Sequence, residues 1–180
     1  VVYTAPGVTA ADDRDGDLTA KVVVGGDTVD SSVPGVYNIT YDISDAAGNA
    51  AVRLTRKVTV ADTLSPAITL KGETEVSVEA GVAYTDTGAT VADVFEGDLT
   101  ANLSTVNPVD TSKVGEYTVT YSVSDAAGNE GILTRTVTVS DTVSPVLVLV
   151  GDAAVSHEAG SVYTDGGVTA TDSFEGDLTA

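Results

Sequence analysis

The chain has 180 residues, with 27 Asp and Glu against 8 Lys and Arg, a formal charge of −19 and no cysteine. That charge argues against nucleic acid and anionic lipid as partners, since both want basic patches. The missing thiols exclude disulfides and thiol chemistry.

Valine and threonine dominate and turn residues recur at short intervals, so the class is all-β. No apolar run is long enough to cross a bilayer, and direct membrane contact is not expected. In chain order, residues 7–10 are expected to form a short strand running into an acidic loop, with residues 18–25 as the strand after it. Pro34-Gly35 marks a turn. Tyr37, Ile39, Tyr41 and Ile43 then alternate with Asn38, Thr40, Asp42 and Ser44, the period of two of a half-buried antiparallel strand. Asp45-Ala-Ala-Gly-Asn49 turns the chain, and residues 52–60 return with Leu54, Val58 and Val60 on one face. Arg56 shares that register and is expected near a sheet edge with its head in water. A second series follows Pro66: residues 67–70, 76–81, 88–92, 99–106, 117–123 and 133–139. Residues 146–150 open a third.

These series are one unit repeated. Asp12-Asp-Arg-Asp15-Gly-Asp17-Leu-Thr19 returns as Asp93-Val-Phe-Glu96-Gly-Asp98-Leu-Thr100 and as Asp172-Ser-Phe-Glu175-Gly-Asp177-Leu-Thr179. The steps from Asp17 to Asp98 and from Asp98 to Asp177 make this a tandem array with a period of about 80 residues. Three domains are expected: residues 1–61, a copy without its first strand; 62–140, a complete copy; and 141–180, the N-terminal half of a third. The chain thus reads as a window on a longer array. Seven short alternating strands in the complete copy predict tandem immunoglobulin-like β-sandwiches joined by short linkers.

With the strands lettered A to G, the acidic loop joins B to C and the Asp-Ala-Ala-Gly-Asn turn joins F to G. Strand A runs opposite to B, so the B–C loop, the F–G loop and the approach of the chain share one pole. For the middle copy this gathers Asp62, Asp93, Glu96, Asp98, Asp125 and Asn129. The first copy offers Asp12, Asp15, Asp17, Asp45 and Asn49, and the third Asp141, Asp172, Glu175 and Asp177. Oxygen donors without His or Cys suit calcium, which takes about 6–8 oxygens in irregular geometry, and do not suit zinc. The ion would clamp neighbouring repeats into a stiff rod. The same residue types are also good turn chemistry without any metal, because Asp, Asn and Gly close turns by themselves. Asp86 and Asp165 are expected at the opposite pole, where the first copy has Ala5.

Several motifs resemble the bacterial Ig-like (HYR- and cadherin-like) repeats of large surface proteins and adhesins. They include Asp62-Thr-x-Ser-Pro66, Tyr84-Thr-Asp86-x-Gly88, Glu96-Gly-Asp98-Leu-Thr100, Gly115-x-Tyr117-x-Val-Thr-Tyr121 and Ser124-Asp-Ala-Ala-Gly-Asn129. The resemblance implies an extracellular, stalk-forming module, often with calcium at its junctions. The expected role is a structural spacer of an adhesin or surface fibre whose partners are neighbouring repeats. The alternatives are a module whose loops bind a glycan or protein, and a filament subunit whose open edge takes a neighbour's strand. No nucleophile sits in a catalytic motif, so no enzyme is expected. Tyr37, Tyr41, Tyr117 and Tyr121 fall in the inward register and read as core or tyrosine-corner residues rather than a sugar platform. His157 is unrepeated and reads as a surface residue.

Overall fold

The computed structural model describes residues 3–179; Val1, Val2 and Ala180, the outermost positions of the first and third expected copies, lie outside the described residues. By contact density the chain divides into a unit of residues 1–64 with 126–129 and a unit of residues 65–125 with 130–180.

The first unit holds β1 (Ala11–Asp12), β2 (Gly16–Asp17), β3 (Val23–Gly26), β4 (Gly35–Asp42) and β5 (Leu54–Val60). β1 pairs with β2, and β3, β4 and β5 form an antiparallel sheet in that order. Two expectations fail here. Residues 7–10 are not a strand, and pairing begins only at Ala11. Nor is 18–25 one strand, because a 3-10 turn, Thr19–Lys21, interrupts it. Leu18 reads as the opening of a strand because it is apolar. Its side chain instead plugs the core at 5% exposure, while Lys21 N–H donates to its carbonyl at 2.9 Å. Ile39 and Tyr41 complete the buried set, as their alternation requires.

The second unit contains β6 (Ala67–Leu70), β7 (Glu75–Glu79), β8 (Ala89–Asp93), β9 (Gly97–Asp98), β10 (Ser104–Val106), β11 (Gly115–Ser124) and β12 (Glu130–Ser140). One sheet has the order β10-β11-β12-β7, the other β6-β8-β9. β7 runs parallel to β12, with Val76 opposite Val137 and Val78 opposite Val139. The chain thus crosses from one sheet to the other between β6 and β7. Ala89 of β8 packs with Val119, Tyr121 and Val137 of the facing sheet, flanked by Ile68, Leu70, Val76 and Val78. This is the two-layer core of an immunoglobulin-like sandwich. As in the first unit, the expected strand 99–106 is broken by a 3-10 turn, Thr100–Asn102, after a buried Leu99.

Tyr121 is fully buried and the Tyr117 hydroxyl donates to the Lys113 carbonyl at 3.0 Å, so the aromatic pair is core and corner as expected. Val119 has no exposure. Val119→Ala removes two buried methyl-sized groups and leaves a cavity, and is expected to cost about 2 kcal/mol, read as a lower urea midpoint at unchanged slope.

The same unit continues through β13 (Val146–Leu149), β14 (Val168–Asp172) and β15 (Gly176–Asp177), a three-stranded antiparallel sheet that repeats the β6-β8-β9 arrangement. Glu79 holds the segment before β13, accepting from Thr142 N–H at 2.8 Å and from its hydroxyl at 2.6 Å.

Candidate metal centre

Asp93 is the last residue of β8. Its Oδ1 accepts the backbone N–H groups of Phe95 (2.7 Å) and Glu96 (2.9 Å), and Gly97 resumes pairing opposite it. Gly97 has φ +81°, the left-handed conformation that a three-residue hairpin loop needs and a side chain resists. The loop therefore turns the carboxylate inward. Asp93 is 7% exposed, and its Oδ2 is shielded from solvent without a hydrogen-bond partner. Asp125 directly follows β11 and is 8% exposed.

Asp62 lies on the approach to β6. Asp62 Oδ1 accepts Leu64 N–H at 3.2 Å, its carbonyl accepts Asn129 Nδ2 at 3.4 Å, and its Oδ2 is buried and unpartnered. Within the second unit, Asp93 and Asp125 each present a carboxylate oxygen, and these oxygens lie within 4.8 Å of one another. At that separation two like charges repel by about 3 kcal/mol at an effective dielectric of about 20. Two buried acceptors without donors add a desolvation cost of their own. A divalent cation removes both penalties, and an all-oxygen donor set fits calcium.

The other predicted ligands lie outside that group. Asp98, Asp17 and Asp177 accept the N–H of Thr100, Thr19 and Thr179, each at 2.9 Å, on exposed two-residue strands. The threonine hydrogen bonds hold all three carboxyls below their ordinary range. Asp12 and Asp172 cap their loops as Asp93 does, onto Arg14 and Asp15 and onto Phe174 and Glu175. Asp15 Oδ2 accepts Ala46 N–H at 2.7 Å. Asp45 takes both the backbone and side-chain N–H of Asn49, which lowers its pKa. Asp141 accepts Val143 N–H at 3.2 Å. Glu96 and Glu175 enter these loops through their backbone N–H.

A second charged site corrects one sequence reading. Arg56 was expected near a sheet edge with its head in water, but its Nη1 is shielded from solvent, and the corresponding Arg135 turns fully inward. Arg135 is 1% exposed, and its Nη1 donates to Asp86 Oδ1 and to the Tyr121 hydroxyl (3.0 Å). Its Nε and Nη2 donate to the carbonyls of Glu73 (2.9 Å) and Lys71 (2.5 Å). The recurrence of Tyr-Thr-Asp at Tyr84 and Tyr163 and of the strand arginine at Arg56 and Arg135 was the available signal. His157 is exposed and touches Ser161 Oγ at 2.6 Å.

Residues 2–60 and 68–139 match the family model for the bacterial surface protein Ig-like domain. The chain belongs to that family. It is an immunoglobulin-like module of the surface-protein type. Among relatives, the pesticidal crystal protein Cry22Aa of Bacillus thuringiensis is 36% identical over 71% of this chain and 18% of its own length. Hyalin of Strongylocentrotus purpuratus is 30% identical over 91% of this chain and 14% of its own. The lipoprotein BT2262 of Bacteroides thetaiotaomicron is a solved structure with TM-score 0.40 and 23% identity, covering 44% of this chain and 39% of that one. The chain thus spans well under a third of the length of these curated relatives. Among the described residues no helix is long and apolar enough to cross a membrane.

Proposed function

We propose that the chain is a calcium-dependent structural spacer of an extracellular surface protein, in which one ion held by Asp93 and Asp125 ties the end of β8 to the end of β11 in the second unit. The observation that carries this reading is the buried, partnerless Asp93 Oδ2 beside the Asp125 carboxylate; Asp62 Oδ2 is likewise buried and without a partner. Turn formation uses only the other oxygen of each residue. The ion would supply charge compensation and no chemistry. Membership of a bacterial surface-protein family agrees with a spacer role.

Calorimetric titration of the chelator-treated chain with calcium, paired with thermal unfolding in calcium and in chelator, tests it. Saturable heat and a raised melting temperature are expected. Identical melts with no binding heat would remove the ion from the mechanism and leave a plain β-module.

A further inference from the structure

In the second unit four groups close on one carboxylate. The Tyr121 hydroxyl donates to Asp86 at 2.7 and 2.8 Å, the Tyr84 hydroxyl at 3.0 Å and Gly88 N–H at 3.0 Å, and Arg135 Nη1 completes the cradle. The first repeat keeps all four residue types at the corresponding positions: Tyr3, Gly7, Tyr41 and Arg56. Ala5 stands where Asp86 does. The missing carboxylate is therefore a difference of sequence within the repeat, independent of where the chain starts.

The structure shows the consequence. Arg56 still lies over its tyrosine ring, 5.5 Å from the Tyr41 centroid, much as Arg135 lies 5.8 Å from that of Tyr121. Arg56 Nη2 donates to the Gly7 carbonyl at 3.0 Å. Yet Arg56 Nη1 and the Tyr41 hydroxyl are shielded from solvent and have no partner, and Tyr41 is 7% exposed. Their counterparts are the two groups that grip Asp86 from the facing sheet. A buried guanidinium nitrogen without an acceptor is costly. A water molecule would satisfy the hydrogen bonds but leave the charge uncompensated. A carboxylate does both, through charge-assisted bonds.

We propose that the first unit binds an external carboxylate between Arg56 Nη1 and the Tyr41 hydroxyl, in the place that Asp86 fills in the second. Access runs past residues 3–7, which belong to no strand, and through the adjoining pocket of about 320 Å³ lined by Val8, Tyr41, Leu54, Thr55 and Arg56. The carboxylate is either a small free anion or the end of an Asp or Glu side chain from a second copy of this acid-rich chain.

The test uses the whole isotope-labelled chain. Sodium acetate is titrated against sodium chloride at equal ionic strength while the Arg56 Nε–H and Gly7 amide resonances are followed. A saturable shift specific to acetate, with half-saturation on the order of millimolar, is the expected result for a free anion. Ala5→Asp supplies the carboxylate internally and is expected to weaken that response at least about tenfold, with the β4 resonances unchanged. Arg56→Met is expected to abolish it. If the natural source is a second copy, sedimentation will show concentration-dependent dimers of the parent chain that Ala5→Asp removes. A chain that neither responds to acetate nor self-associates, or an Ala5→Asp variant that behaves as its parent in both measurements, overturns the proposal.

Discussion

Replacing Arg135 with methionine is expected to destabilise the second unit by about 3–5 kcal/mol, a large part of the stability of a domain this size. The substitution strips the buried Asp86 carboxylate of its ion-pair partner and leaves the Lys71 and Glu73 carbonyls without the donors that now reach them. Methionine fills the volume, so the loss reports the charge and the hydrogen bonds rather than a cavity. Urea unfolding followed by Tyr fluorescence measures it. The double variant Arg135→Met, Asp86→Leu removes both charges, and is expected to recover much of the loss, because an apolar pair costs less than one orphaned ion. A single variant that unfolds at the parent midpoint would show that the pair contributes nothing.

The same pair sets an acid limit. Burial alone would raise the Asp86 pKa, but hydrogen bonds from Tyr121 and Tyr84 and the charge of Arg135 more than offset it, so the net shift is downward. A carboxyl with a depressed native pKa contributes stability that is fully present above its unfolded value, about 3.9, and is lost as the pH falls through the lower native value. Stability of the second unit is therefore expected to decline below about pH 4, and Asp86→Asn is expected to flatten that decline at the cost of lower stability at neutral pH. Equal acid slopes in parent and variant would assign the titration to the exposed acids.

The strands that carry period-two patterning were legible: β4 and β11 fall where Tyr37–Ile43 and Tyr117–Val123 alternate, and the sandwich follows from them. That the ends of β8 and β11 share one corner of the second unit follows from strand direction. What escaped were features that residue type disguises. Leu18 and Leu99 look like strand openers, yet each is a buried plug ahead of a 3-10 turn. Arg56 reads as a sheet-edge residue with its head in water, and its counterpart Arg135 occupies the same inward register and is 1% exposed. Its acceptors come from Lys71, Glu73 and Asp86, about fifty to sixty-four residues away, and no local pattern announces them. The acidic loops misled in the opposite direction, since a motif repeated three times suggests that every acid shares one role. Asp98 and its counterparts cap a threonine on the surface, whereas Asp93 faces the protein interior.

Asp93→Asn is expected to change stability in opposite directions with and without calcium. Asparagine keeps the oxygen that caps Phe95 and Glu96, so the hairpin loop is preserved. In chelator the variant loses the Asp93 charge that faces the Asp125 carboxylate and is expected to be more stable than its parent by on the order of 1–3 kcal/mol. In calcium at about a thousandfold over its dissociation constant, the parent gains about 4 kcal/mol by linkage, and the variant forfeits most of it. The two unfolding midpoints should therefore exchange order when the ion is added. Turn chemistry alone predicts no such exchange: the variant would be slightly less stable or unchanged in both conditions, because a cap does not depend on calcium. The sign in chelator separates the two readings without any knowledge of affinity. It depends only on whether the Asp93 carboxylate is held against Asp125 by the fold or turned toward it by local preference.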